Sequence, residues 1–129
     1  MTLKMLTVFA ALAFVLPGTA HAQNKHSHSH AEKGPHGGRL ADAGDYHVEL
    51  VARDGGIEVY VVDHGEKPLA LSGFKGLAIL AVDGKSQRIT LDAGDGGKMT
   101  GKVTGNLPKQ PKGVIQITPP GGKTVSAKF

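Results

Sequence analysis

From Tyr46 onward, apolar and polar residues alternate in short runs, and a period of two predicts strands rather than helices. The pattern is carried by Tyr46 to Ala52, Ile57 to Asp63, Leu77 to Val82, Gln87 to Asp92, Met99 to Thr104, Val114 to Thr118 and Thr124 to Lys128. No window holds a helical repeat. With 19 glycines and 7 prolines in 129 residues, a helix of several turns would be interrupted. The expected fold is therefore all-β, a small antiparallel β-sandwich or barrel of about seven strands.

Turn chemistry sharpens this expectation. Asp54-Gly55 and Asp83-Gly84 are dipeptides that two-residue hairpins favour. A two-residue loop at Asp54-Gly55 pairs Val48 with Val61, Leu50 with Val59 and Ala52 with Ile57, giving one continuous apolar face. By alternation the other face carries Asp45 opposite His64, His47 opposite Val62 and Glu49 opposite Tyr60. A loop one residue longer would mix Glu49 and Arg53 into the core, which argues against it.

Composition changes the picture at the N-terminus. Lys4, the apolar run Leu6 to Leu16, Pro17-Gly18 and then Ala20-His21-Ala22 have the layout of an export signal, too short for a membrane span. Residues 1–22 are thus expected to be a signal peptide, with cleavage after Ala20 or Gln23 as alternatives, and the protein to be soluble and periplasmic. The remaining 107 residues suit one small domain. Residues 23–35 contain no large apolar side chain and read as a flexible His-rich arm, leaving 36–129 for the β domain.

The absence of cysteine excludes a disulfide framework, thiolate metal sites and a cysteine nucleophile. The formal net charge of +4 is small, tryptophan is absent, and the lysines are scattered without interleaved aromatics, so nucleic acid is not an expected partner. No Gly-x-Ser-x-Gly setting, phosphate loop or nucleotide fingerprint is present, and no enzymatic activity is expected. Met99 reads as a core filler, and Asp92 to Gly97 lacks the spaced oxygen ligands of a calcium loop.

The chemistry lies in the histidines. His26, His28 and His30 alternate with serine in the arm, a pattern suited to wrapping a borderline cation. His47 and Glu49 share a strand face at i and i+2, His64 and Asp45 fall on the same side in the hairpin register, and His36 lies close enough along the chain to cap them. Zn²⁺, Cu²⁺, Ni²⁺ or Co²⁺ take three or four N/O ligands of this kind, so a divalent transition metal is the expected cofactor. Cleavage after Gln23 would also free Asn24-Lys25-His26, whose amine, amides and imidazole can chelate Cu²⁺ or Ni²⁺ in a plane.

Pro35-His36-Gly37-Gly38-Arg39-Leu40, followed by Ala43-Gly44-Asp45-Tyr46-His47-Val48-Glu49-Leu50-Val51, resembles the small N-terminal metal-binding domain of periplasmic adaptor subunits in heavy-metal cation efflux systems. The likeness runs on through Ile57 to Asp63, the Asp-His-Gly-Glu-Lys-Pro turn at 63–68 and the strand pair 77–91. It implies metal binding or delivery in resistance, with a heavy-metal efflux pump or its adaptor as partner, and it carries over His36, His47, Glu49 and His64. Nothing resembles the adaptor's coiled-coil, lipoyl-like or membrane-proximal parts, so a stand-alone exported module is expected. The competing expectation is a non-catalytic β-sandwich that docks an efflux or envelope protein, with metal incidental.

Overall fold

The computed structural model describes residues 32–129. The expected signal peptide and His26, His28 and His30 of the expected arm lie outside them. Among the described residues no helix is long and apolar enough to cross a membrane. The fold is all-β: β1 (Arg39–Ala43), β2 (Tyr46–Arg53), β3 (Gly56–Asp63), β4 (Lys75–Val82), β5 (Lys85–Ala93), β6 (Lys98–Lys102), β7 (Gly113–Thr118) and β8 (Val125–Lys128). They form one antiparallel eight-stranded sheet in the order β1-β2-β3-β6-β5-β4-β7-β8. It curls until β1 and β8 lie side by side, making a nearly closed barrel.

All seven predicted strands are present, and the β2–β3 register is the expected one, with His47 opposite Val62, Val48 opposite Val61 and Glu49 opposite Tyr60. At the second predicted hairpin Val82 pairs with Lys85. Asp83 and Gly84 there take φ values of 49° and 73°, the left-handed pair that a tight hairpin turn needs. The eighth strand, β1, is unanticipated because Arg-Leu-Ala-Asp-Ala is poor in β-branched and aromatic residues. It is held by its neighbour, pairing Leu40 with Glu49 and Asp42 with His47.

Side chains that point into the barrel make the core: Val48, Leu50, Ile57, Val59, Val61, Leu80, Met99, Ile115 and Ile117 are all buried. Each such aliphatic side chain contributes about 1.5–3 kcal/mol when fully withdrawn from water. Met99 fills core space as its position suggested. Phe74 packs at the margin, edge-on to Tyr46 with ring centroids 6.2 Å apart.

The outer face of β2 departs from simple alternation. Glu49 and Val51 point outward yet are buried, because the chain before β1 folds back over them. Residues 32–35, read from sequence as part of the arm, belong to this cover. Lys33 bridges to Arg39, the Leu40 amide donates to the Glu32 carbonyl at 2.9 Å, and the Gly34 amide donates to the Gly38 carbonyl at 2.9 Å. Gly34 is required here, since a Cβ at that position would overlap the Glu49 carboxylate.

Candidate functional site

Two histidine–carboxylate pairs stand on the outer face of β1 to β3, and they differ in every respect except the bond that defines them. In the first the carboxylate is sealed. Glu49 projects from β2 under the Pro-His-Gly-Gly loop, and its Oε1 accepts the backbone amides of His36 at 2.9 Å and Gly38 at 2.8 Å. Its Oε2 faces His36 Nδ1 at 2.8 Å. With its side chain only 3% exposed, the carboxylate is fully occupied in pinning the loop. The His36 ring lies flat on Tyr60, with centroids 3.6 Å apart and planes within 2°.

Tyr60 extends the network sideways. Its hydroxyl donates to Glu58 Oε2 at 3.0 Å, and Arg53 Nε donates to the same oxygen at 2.9 Å. Burial by itself would push the Glu58 carboxyl up; the hydrogen bonds from Tyr60 and Arg53, with the charges of Arg53 and Lys98, outweigh it and hold the carboxyl below its ordinary range. Burial, reinforced by the hydrogen bond to Glu58, pushes the Tyr60 phenol up.

The second pair is open. Asp42 on β1 faces His47 on β2, and Asp42 Oδ1 meets His47 Nδ1 at 2.7 Å. An ionised carboxylate only accepts, so His47 Nδ1 carries the proton and Nε2 presents a lone pair. That nitrogen lies 3.2 Å from His64 Nδ1, with the two rings edge to face at 86° and centroids 4.9 Å apart. His64 is positioned by the turn after β3. Asp63 Oδ1 accepts the amides of Gly65 at 2.8 Å and Lys67 at 3.0 Å, and the Glu66 amide donates to the Asp63 carbonyl at 2.9 Å.

This arrangement presents two imidazole nitrogens with a carboxylate behind one of them, the second-shell pattern that fixes the tautomer of a metal-ligating histidine. Zn–N bonds of about 2.0–2.1 Å at a tetrahedral angle separate two nitrogens by about 3.3–3.4 Å. The observed 3.2 Å is close to that edge. A tautomer shift that moves the His64 proton to Nε2 would leave a lone pair on each of the two facing nitrogens without net proton loss.

No family model, curated protein or solved structure matches this chain.

The expected five-residue convergence of domain and cap is divided by the fold. His47 and His64 come together, whereas His36 and Glu49 are bound to each other beneath and within the loop. Asp45 sits exposed in the β1–β2 turn; the ladder ends at the Tyr46–Asp63 pair, so Asp45 and His64 are not opposed. Asp42 is the carboxylate that actually reaches His47. It went unrecognised because β1 carries no alternating signal. Asp42 and His64 bind opposite nitrogens of the His47 ring and cannot share an ion with it. Accordingly, among the described residues no group of three His, Cys, Asp or Glu side chains is placed to hold a metal.

Beside His47 lies a concavity of about 710 Å³, with Leu40, His47 and Val62 among its walls and the carboxylates of Glu32, Asp42 and Glu66 around it.

Proposed function

We propose that this protein is a periplasmic, non-catalytic binder of divalent transition metals that buffers or delivers heavy-metal ions in efflux or resistance. The observation that carries this reading is the His47 Nε2 to His64 Nδ1 spacing of 3.2 Å, backed by Asp42 on the far nitrogen of His47. Two neutral imidazoles at such a spacing suit Zn²⁺, Cu²⁺, Ni²⁺ or Co²⁺ better than hard oxygen-seeking cations. The resemblance of residues 35–40, 43–51, 57–68 and 77–91 to the efflux-adaptor domain supports the same direction, with a heavy-metal pump or its adaptor as the recipient it implies. The export-signal layout of residues 1–22 supports a periplasmic location, where such ions are met.

Calorimetric titration with Zn²⁺, Cu²⁺, Ni²⁺ and Co²⁺ tests the proposal. Saturable uptake that weakens in both His47→Ala and His64→Ala is expected. Uptake indifferent to both substitutions would remove the folded-site reading. The concavity beside His47, with Pro35, Leu40, Ala41 and Val62 supplying apolar wall, would then favour the docking-module reading.

A further inference from the structure

We infer that the outer face of β4 and β7, an aliphatic strip framed by lysine and arginine, docks the barrel on an anionic phospholipid bilayer. This surface uses other strands than the histidine pair and stands apart from the metal-binding reading.

The signal is in β4. Leu77-Ala78-Ile79-Leu80-Ala81-Val82 is apolar at every position, the pattern of a strand covered on both faces. The barrel covers one of them. Ala78, Leu80 and Val82 point inward and are buried, whereas Leu77 and Ile79 point outward, half-buried, and Ala81 is exposed. Val114 of β7 stands directly beside Ile79, and Leu77 follows on the same face of β4. Leu77, Ile79 and Val114 belong neither to the core nor to the partly buried margin packed against it. Aliphatic side chains gathered on an outer sheet face in this way mark a surface that meets a partner.

Charge indicates which partner. The strand register puts Arg88, Ile79, Val114 and Lys128 in one row across β5, β4, β7 and β8, so a cation stands at each end of the aliphatic pair. Four strands at their usual spacing make this row about 15 Å long. Lys75 is exposed on the same face at the start of β4. Among the described residues none of these three cations joins an ion pair, and residues 1–31 contain no Asp or Glu. Lysines scattered along the sequence are gathered by the fold. Residues 67–129, which form β4 to β8, carry ten Lys and Arg against three Asp, while residues 32–66, which form β1 to β3, carry three against eight Asp and Glu. Two copies meeting through this face would oppose like charges, which disfavours a second copy as its occupant.

The side chains themselves suit lipid. Neither β4 nor β7 carries an aromatic residue. Protein interfaces are anchored by aromatic and arginine side chains seated in pockets, whereas a headgroup layer needs no shape complementarity, accepts aliphatic side chains at shallow depth and attracts the Lys and Arg around them.

The test is co-sedimentation of residues 23–129 with vesicles, since the apolar run Leu6 to Leu16 would enter lipid by itself. Vesicles of phosphatidylglycerol and phosphatidylcholine in equal parts are compared with pure phosphatidylcholine, with EDTA present so that no metal links histidine to phosphate. Binding to the anionic vesicles alone, falling as salt is raised, is expected. Each Lys or Arg near such a surface raises partitioning about fivefold, so Arg88→Glu with Lys128→Glu should lower it at least about twentyfold. Leu77→Thr with Ile79→Thr, which suits a strand but removes the aliphatic strip, should lower it about tenfold. Lys67→Glu with Lys102→Glu makes the same charge change in the turn after β3 and at the end of β6, away from the face, and should lower it no more than about fivefold. The chain has no tryptophan, so Ile79→Trp reports on the face directly, and its emission should shift to the blue on anionic vesicles.

No binding to either vesicle, or equal binding to both, would overturn the proposal. So would equal losses from the two double charge reversals, or an Ile79→Trp emission that stays unmoved in vesicle-bound protein. A blue shift that grows with protein concentration in the absence of lipid, together with a dimer in light scattering, would place a second copy on the face and overturn lipid docking. All substituted side chains are exposed or half-buried, and circular dichroism checks that the barrel persists. The Ile79→Trp emission and the salt dependence of the unaltered protein decide the matter even where a charge-reversed form does not fold.

Discussion

The two histidine–carboxylate pairs make nearly the same bond, 2.8 Å at His36–Glu49 and 2.7 Å at His47–Asp42, and put it to opposite uses. Burial accounts for the difference. The Glu49 side chain is 3% exposed, with two backbone amides and an imidazole on its oxygens, so its interactions are strong and its geometry is inflexible. The Asp42 side chain is 66% exposed and, among the described residues, bonds only to His47. Its bond contributes little to stability, but it orients a nitrogen toward solvent and toward His64. The same bond thus serves as a structural lock where its carboxylate is covered and only orients an imidazole where its carboxylate is open; the two rings are similarly exposed, 42% at His36 and 33% at His47.

Breaking the lock should produce the largest effect. Glu49→Ala removes the acceptor for two amides and a ring nitrogen, and hydrogen bonds to a charged group contribute about 1.5–3 kcal/mol each. A loss of about 3 kcal/mol or more is expected in urea denaturation, with Val51 becoming solvent-exposed. Zinc binding by the protein that remains folded should persist. Loss of zinc binding without loss of stability would merge the two pairs into one site.

The converse substitution sharpens the contrast. His47→Ala should leave the urea midpoint nearly unchanged while lowering zinc affinity by about a hundredfold, because a direct ligand counts for at least as much as the outer-shell groups around it. Asp42→Asn should have a smaller effect, about tenfold in zinc affinity, since the amide orients the ring with less basicity gained by its far nitrogen. An Asp42→Asn variant with unchanged affinity would show that His47 needs no orienting partner.

The smallest effect belongs to the rim of the lock. The Glu58 carboxyl is held below its ordinary value of 4.5 in the folded protein. Its stabilising contribution is complete above that value and is lost as pH falls through the lower, folded one. Glu58→Gln should therefore give a slightly lower Tm than the unaltered protein at neutral pH and the same Tm in strong acid, measured by thermal melts across pH. A difference that grows on acidification would reverse the sign and discount the Arg53 and Tyr60 hydrogen bonds as its source.

How legible the molecule was in its sequence varies by element. Period-two alternation and Asp-Gly turns were sufficient for seven strands, for the β2–β3 register and for the side of the ribbon on which His47 and Glu49 stand, because those features depend on local geometry and on which face avoids water. They were not sufficient for β1, whose Arg-Leu-Ala-Asp-Ala has no pattern of its own and becomes a strand by pairing with β2. Nor could they divide the histidines. Whether His36 and Glu49 face an ion or each other depends on a loop folding back over β2, and whether Asp42 or Asp45 reaches His47 depends on a pairing partner that alternation does not reveal. Sequence alone determined which residue types stand on which face; the tertiary structure decided which carboxylates are covered, because burial comes from contacts between segments distant along the chain.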